Sequence, residues 1–218
     1  MPTTKEEMLI RHQQAVADYF IALMRSIDPY VCVAGGAPRD WFLGKPAADI
    51  DIFYQCPTIM LECEFEPVLK LLDEGAVECY MQEDELQKYL QGILGVTLEG
   101  SEPPEPPEPI DFKNLGLTQK QDDYELNPDL LYVHNAVWQG VKLQFMAMQS
   151  DVRDVHETFP LNISQAKYTS GRGILGTTAF HLGHSAKSIW KTGDAYNGGQ
   201  KYMNKIQNKF KDYSWDEA

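Results

Sequence analysis

Two aspartates that lie one residue apart, Asp49 and Asp51, are the side chains of this sequence best suited to bind a metal ion. They belong to the run D-I-D-I-F-Y, whose apolar residues are typical of a β-strand. Side chains two residues apart on a strand point to the same face, so the two carboxylates repel each other unless a cation lies between them. Mg²⁺ prefers carboxylate oxygens combined with the phosphates of a substrate. The pair therefore predicts a Mg²⁺ or Mn²⁺ site with both aspartates as ligands.

A pair of glycines, Gly35 and Gly36, precedes the aspartates and follows a short apolar run over residues 31–34 that predicts a buried strand. Glycine lets the backbone take conformations closed to other residues and approach a ligand closely. Pro38 suits the first turn of a helix, and the free N–H groups at a helix N-terminus attract phosphate. Residues 31–54 thus predict a strand, a glycine turn, a short helix and a second strand, which place a phosphate site beside a metal site.

The combined pattern, G-G-x-x-R-D-x-x-L-G followed by D-I-D-I, resembles the head-domain signature of the DNA polymerase beta-like nucleotidyltransferase superfamily. It is most similar to the class II CCA-adding tRNA nucleotidyltransferases and poly(A) polymerases. The resemblance implies that Asp49 and Asp51 are the catalytic residues and bind the metal ions. It also implies that Gly35, Gly36 and Arg39 bind the nucleotide.

The same resemblance implies a fold and an activity. The fold is an α/β (α+β) nucleotidyltransferase head domain, with a mixed sheet of about four or five strands, flanking helices and a C-terminal helical segment. The activity is transfer of a nucleoside monophosphate from a nucleoside triphosphate to an acceptor hydroxyl by a two-metal mechanism. An RNA end of the tRNA type is the favoured acceptor, and a small molecule or a protein side chain are the alternatives. Because the sequence has no E-D-x-x-R motif and no room for neck, body and tail domains, we do not expect a complete CCA-adding enzyme.

A β-hairpin is predicted over residues 130–148, where two β-rich runs flank a two-residue turn that contains Gly140. In the resembling family this hairpin returns beside the strand with the aspartates, and in many members it carries a third carboxylate. The second run here, V-K-L-Q-F-M-A-M, has no acid, and Gln144 or Met146 falls near the expected place. Two acids follow at a greater distance: Asp151 and Asp154. The alternative is therefore a catalytically weak or inactive nucleotidyltransferase fold that binds nucleotide, RNA or a protein.

The chain divides into a predicted head domain over residues 1–165 and a C-terminal extension over residues 166–218. Residues 99–109, E-G-S-E-P-P-E-P-P-E-P, predict an extended loop, because proline fixes the backbone and the glutamates repel one another. This loop lies in a proline-rich insertion at about residues 95–127. Apolar spacing and capping residues predict further elements: helices over residues 5–27, 62–75 and 83–93, and a short strand over residues 77–81.

The C-terminal extension is predicted to contain a helix over residues 196–213. Lys201, Lys205 and Lys209 are spaced four apart and share one face of it. Such a basic face suits RNA or another phosphate-rich partner, and a simply solvated lysine face is the alternative.

Two other stretches bear on the site. The segment over residues 157–163, E-T-F-P-L-N-I, resembles the R-D-F-T-I-N-A segment that follows the catalytic strands of class II enzymes. His181 and His184 have a spacing open to metal binding, but no Cys or second His pair lies near them, so zinc is not predicted.

Composition limits the function classes. A net charge of −13 argues against charge-driven nucleic-acid binding over the whole surface. Residues 161–218 hold eight Lys and Arg against four Asp and Glu, so a polyanion would meet this part or the metal site. No apolar stretch is long enough for a membrane span and no signal pattern is present, which predicts a cytoplasmic protein. The four cysteines have no C-x-x-C spacing and are predicted to be reduced: Cys32, Cys56, Cys63 and Cys79.

Overall fold

The computed structural model describes residues 4–25, 27–55, 129–192 and 200–216. These ranges contain four α-helices: α1 (Lys5–Met24), α2 (Gly36–Phe42), α3 (Thr178–Ala186) and α4 (Gln200–Lys209). They contain eight strands: β1 (Cys32–Ala34), β2 (Ile50–Gln55), β3 (Leu130–Trp138), β4 (Val141–Met148), β5 (Ala166–Thr169), β6 (Gly173–Gly176), β7 (Ser188–Ile189) and β8 (Ser214–Trp215). Two 3-10 turns, Val155–Thr158 and Asn162–Ser164, lie between β4 and β5. Several predicted elements lie outside the described residues: the helices over residues 62–75 and 83–93, the strand over residues 77–81 and the insertion at 95–127.

Six of the strands form one mixed sheet in the order β3-β4-β2-β1-β5-β6. β2 and β4 run parallel, whereas the other neighbours are antiparallel. β7 and β8 form a separate parallel pair. The predicted mixed α/β fold is confirmed, and the predicted hairpin is formed by β3 and β4.

The sheet has more strands than the four or five expected, because β5 and β6 extend it beyond β1. Tyr168 of β5 lies opposite Val33 of β1, and β6 pairs with β5. Both strands come from residues 166–176, which the sequence analysis placed in the C-terminal extension. They are only four residues long, too short for apolar alternation to reveal them. The first part of the extension thus belongs to the main sheet.

One face of the sheet is covered by α1. Side chains alternate along a strand, and Ile50 of β2 and Phe145 of β4 both point to this face and are fully buried. Phe20 of α1 packs against Phe145, with the ring centroids 5.3 Å apart and the planes nearly perpendicular. The predicted capping box, in which Thr4 and Glu7 bond to each other's backbone N–H groups, starts the helix. Packing and capping together explain why this segment forms the longest described helix.

The opposite face of the sheet is apolar at one end and polar at the other. Phe53 and Met146 are buried in an apolar cluster towards the ends of β2 and β4. Asp51 and Gln144 point to the same face nearer the starts of these strands, where they lie opposite each other. The candidate site is therefore at the polar end of this face.

The C-terminal elements surround a smaller apolar cluster that brings α4 next to α2. Its buried members are Leu161, Ile163, Ile189, Ile206 and Phe210. Asn162 is fully buried at its edge. Its Nδ2 donates to the Ser188 carbonyl at 3.0 Å, and its Oδ1 accepts from the Trp190 N–H at 3.0 Å. Asn162 thus links the segment of residues 157–163 to β7.

Two expectations from composition concern the surface and the thiols. Within the described ranges no helix has both the length and the apolar character that a membrane span requires. Cys32 is a buried free thiol, and burial raises its pKa to about 12, so it stays protonated and unreactive at neutral pH. The other three cysteines lie outside the described residues.

We predict that Gly183→Ala destabilises the protein, because a Cβ on this α3 residue would lie 2.0 Å from Asn162 Nδ2 and 3.0 Å from the Ser188 carbonyl oxygen. Moving Asn162 would break its two hydrogen bonds. We expect a loss of about 1–3 kcal/mol in the free energy of unfolding, or roughly 2–4 °C of Tm per kcal/mol, measured by calorimetry.

The matched control is Gly36→Ala, where the nearest atom of the described residues is 3.8 Å from the added Cβ. We expect its Tm to stay close to wild type. Equal Tm values for the two variants would show that the packing of Asn162 does not limit the space at Gly183.

Candidate active site

The predicted site residues meet at one end of the central strands β1 and β2. β1 and β2 are antiparallel neighbours, so the end of β1 lies beside the start of β2. Gly35 and Gly36 follow β1 directly, Asp49 immediately precedes β2, and Asp51 is its second residue. Arg39 lies on α2, the helix that connects the two strands. The local order strand, glycine turn, helix, strand is therefore what brings the five residues together.

The two glycines of the turn have different structural roles. Gly35 has φ 82° and ψ −113°, a backbone conformation that side-chain-bearing residues avoid. Its N–H donates to the Ala166 carbonyl at 2.8 Å, and a Cβ there would lie 3.1 Å from the Phe159 ring. Near Gly36, in contrast, the first atom that an added Cβ would meet beyond its chain neighbours and the backbone of α2 is Arg39 Nη2, at 3.8 Å. Gly35 thus serves the fold, while Gly36 leaves space open beside a guanidinium group.

The aspartate pair contains a buried oxygen without a partner. Oδ1 of Asp51 is buried and has no hydrogen-bond partner among the described residues. Burial, followed by the charge of Asp49, raises the pKa of Asp51 to about 7, and the charges of Lys205 and Arg39 act in the opposite direction. A buried carboxylate oxygen beside a second carboxylate is a donor set that suits a hard divalent cation. The residues present therefore fit Mg²⁺ or Mn²⁺.

Among the described residues, no third carboxylate joins this pair. Within the described ranges no group of three or more His, Cys, Asp or Glu side chains is placed to hold a metal ion. Gln144 lies directly opposite Asp51 in the parallel register, and its Nε2 donates to Oδ1 of Asn135 on β3 at 2.7 Å. Asp51, Gln144 and Asn135 thus form a row across three strands. Of the two expected positions, Gln144 is the one beside the aspartates.

The other candidates for the third ligand lie elsewhere. Met146 is opposite Phe53 and buried in the apolar cluster. Asp151 and Asp154 follow β4, whose last residue pairs with the last residue of β2, so they lie beyond the far end of the strand from Asp51. Asp151 bonds to Arg153, and Asp154 bonds to Lys167. Both carboxylates are therefore paired with cations at a distance from Asp51.

Arg39 and Asp40 form a buried ion pair within α2. Arg39 Nε donates to Asp40 Oδ1 at 3.0 Å, and Arg39 Nη1 donates to Ser164 Oγ at 3.2 Å. The guanidinium carbon lies 5.2 Å from the centroid of the Phe210 ring, a cation–π contact. These contacts hold two of the three guanidinium nitrogens and leave Nη2 nearest to Gly36. Arg39 is thus fixed in place with one edge towards the glycine turn.

The contacts of α4 with this ion pair were not predicted from the sequence. Lys209 Nζ donates to Asp40 Oδ2 at 2.5 Å, and the Tyr202 hydroxyl is 3.0 Å from Ser164 Oγ. The predicted basic face therefore contacts α2 at Lys209, while Lys205 remains exposed. The side chain of Lys201 is outside the described part of the chain. Asp40 is buried and accepts from Lys209 as well as from Arg39. The spacing of residues in the sequence does not identify Lys209 as its second partner.

The histidine pair of α3 has a structural explanation. Nδ1 of His184 is 2.9 Å from the Tyr213 hydroxyl, and Nε2 is 3.2 Å from the Ile163 carbonyl oxygen. Both ring nitrogens are therefore engaged in hydrogen bonds. His184 thus links α3 to Ile163 and to Tyr213, which follows α4.

Comparisons with known proteins give no match at the sequence level. No protein-family model matches the chain, and no curated protein matches it.

Solved structures with a similar course of the chain include CCA-adding enzymes. One is a complex of a CCA-adding enzyme with ATP, with 11% identity, a TM-score of 0.49, and coverage of 94% of this chain and 39% of that one. The Thermotoga maritima enzyme complexed with tRNA has 13% identity, a TM-score of 0.47, and coverage of 95% and 42%. The Bacillus stearothermophilus enzyme in complex with CTP has 11% identity, a TM-score of 0.43, and coverage of 91% and 40%.

The present chain thus spans about two fifths of the length of these solved chains. Likeness at this level says nothing about activity, so the case for an activity depends on the residues of this chain.

The raised pKa of Asp51 predicts how stability depends on pH. The pKa of Asp51 is about 7 in the folded chain and 3.8 for an unperturbed aspartate, so between these pH values the folded chain holds a proton that the unfolded chain releases. This contribution to stability is present below pH 3.8 and is lost as the pH rises through about 7. With chelator present, Asp51→Asn should therefore exceed wild type by about 1–4 kcal/mol in unfolding free energy at pH 8, and the difference should shrink towards pH 4.

Asp154→Asn is the control, since this carboxylate is 72% exposed. We expect its unfolding free energy to stay within about 0.5 kcal/mol of wild type at pH 8. Denaturant titrations across this pH range measure the effect, and parallel curves for wild type and Asp51→Asn would contradict the raised pKa.

Proposed function

We propose that this protein is a metal-dependent nucleotidyltransferase that transfers a nucleoside monophosphate from a nucleoside triphosphate to an acceptor hydroxyl. One observation carries the proposal. Asp51 has a buried oxygen with no hydrogen-bond partner in the described part of the chain. It lies near Asp49, at the start of β2 and beside the end of β1 that leads into the Gly35–Gly36 turn. The charged form of a carboxylate with such a buried oxygen is unfavourable unless a cation compensates it.

Each site residue has a defined task in this proposal. Asp49 and Asp51 would hold the divalent ions, Mg²⁺ or Mn²⁺. The chemistry that bound ions supply is neutralisation of phosphate charge and a lower pKa of the attacking hydroxyl. Gly36 leaves room for the triphosphate to approach the backbone, and Arg39 presents Nη2 beside that room. The contacts of Arg39 with Asp40 and Phe210 orient its guanidinium before a nucleotide binds.

An RNA end is the acceptor that we favour, and the cytoplasm is the location that we propose. The net charge of −13 leaves few places where RNA could approach, and the basic residues over 161–218 adjoin the site through α4. The structures with a similar chain course were solved with ATP, CTP or tRNA. In the present chain these partners are part of the proposal.

A second candidate function is a nucleotide- or RNA-binding module with little or no transfer activity. The observation in its favour is the neutral Gln144 opposite Asp51. An amide ligand holds a divalent ion less strongly than a carboxylate, so the ion that faces the acceptor hydroxyl would be weakly held. Under this alternative the protein binds a metal–triphosphate complex but transfers slowly.

The proposal predicts metal-dependent triphosphate binding that requires both aspartates. Calorimetry with Mn²⁺ and each ribonucleoside triphosphate should give binding to wild type and none to the double variant Asp49→Asn, Asp51→Asn. The isosteric changes create no cavity, and unchanged or raised Tm confirms folding. Equal affinity in both proteins would overturn the site assignment. Incubation of wild type with labelled triphosphates and total RNA then separates the two candidates by turnover.

A separate prediction concerns the third carboxylate. Gln144→Glu should raise Mn²⁺ affinity roughly tenfold and speed transfer, because it places an anionic ligand opposite Asp51. Asn135 can reverse its amide and donate to the new carboxylate, so the row across the sheet stays bonded.

Asn135→Asp is the matched control. It adds the same charge on β3, which lies one strand beyond Gln144 as seen from Asp51. One strand spacing is about 4.8 Å. We expect little gain in transfer from this change. If both variants transfer at the wild-type rate, the missing carboxylate at position 144 does not limit the transfer rate.

A further inference from the structure

The helix α4 holds a lysine at the site that the proposed function has not used. Lys205 lies between Tyr202 and Lys209, three and four residues from them, so all three lie along one side of the helix. Lys209 contacts Asp40 on α2, and Tyr202 contacts Ser164, which also accepts from Arg39. Both neighbours of Lys205 are therefore fixed to the network around Arg39, and Lys205 lies between them on the same side of α4.

The position of α4 does not depend on Lys205 itself. Ile206 is 1% exposed in the cluster with Ile163, and Phe210 packs beneath the Arg39 guanidinium. Lys205 is exposed, and no ion pair of the described residues includes it. Its positive charge acts to lower the pKa of Asp51, against the effects of burial and of Asp49. Lys205 is thus an exposed cation on the side of α4 that docks at Asp40 and Ser164.

An unpaired cation beside a divalent metal site has an electrostatic consequence. It repels the metal ion when the ion binds alone, and it attracts a polyanion that carries the ion with it. Lysine is a compact point charge on a flexible stem, which suits the oxygens of a phosphate chain better than a defined base edge. Arg39 lies on the same side, at the glycine turn, so the two residues would approach the phosphates from different elements.

We propose that Lys205 binds the triphosphate of the incoming nucleotide, which makes α4 part of the substrate site. This inference rests on the proposed function and adds a residue to it. The ligand chemistry is a metal-bound triphosphate chain, and the contribution of Lys205 is independent of the base.

The test measures two affinities of Lys205→Gln by calorimetry. Inorganic triphosphate in the presence of Mn²⁺ should bind about tenfold more weakly than to wild type, the loss expected for one charged hydrogen bond. Mn²⁺ alone should bind roughly threefold more tightly, because a nearby positive charge has been removed. Lys205→Arg, which keeps the charge, should retain most of the triphosphate affinity. Lys211→Gln is the matched control: it removes the same charge from an exposed residue just after α4 and should change neither affinity.

The outcomes separate this inference from the proposed function. If wild type binds no triphosphate with Mn²⁺, the proposed function fails and the role of Lys205 fails with it. If wild type binds and Lys205→Gln binds equally well, only the role of Lys205 is overturned. Tighter binding of both ligands by Lys205→Gln would also overturn it, since Lys205 would then compete with the metal ion. Unchanged circular dichroism and Tm show that α4 is still docked through Lys209 and Phe210.

Discussion

The buried carboxylate of Asp40 is the interaction on which the arrangement of the site depends. One oxygen accepts from Arg39 within α2 and the other from Lys209 of α4, and the Asp40 side chain is only 4% exposed. Removing either cation would leave buried charge incompletely compensated, which is far more unfavourable than the pair is favourable. Asp40 therefore couples the helix beside the glycine turn to a helix from the C-terminal part of the chain. The orientation of Arg39 follows from this coupling, not from its own helix alone.

A compromise between stability and chemistry is visible in the row formed by Asp51, Gln144 and Asn135. A third acid at Gln144 would add to the repulsion that already raises the pKa of Asp51. The amide avoids this repulsion in the metal-free chain and takes part in a hydrogen bond across the sheet. The amide also gives a divalent ion one negatively charged ligand fewer than a carboxylate would. Gln144 thus increases the stability of the chain without bound metal and lowers its affinity for a metal ion.

The part of the site that is local in sequence could be predicted, whereas the part formed by distant contacts could not. Glycine conformation, strand alternation and the short helix are properties of neighbouring residues, so they placed Gly35, Gly36 and the aspartates together. The hairpin periodicity left Gln144 and Met146 as alternatives, and the parallel register of β2 and β4 decided between them. No spacing rule pairs Lys209 with Asp40, because that contact arises from the packing of α4. Likewise, the short strands β5 and β6 became recognisable only as partners of β1.

The parallel pairing of β2 with β4 bears on how the protein folds. The segment that carries the glycine turn and both aspartates can assemble from local contacts, but Gln144 arrives opposite Asp51 only after β4 has joined across residues 56–128. Such non-local pairing slows folding, since chain entropy is lost before the contacts form. The strand, turn and helix of residues 32–42 can therefore form before the row of Asp51, Gln144 and Asn135 exists. A substitution in β4 that slows its pairing with β2 would thus delay the completion of the site without altering the glycine turn.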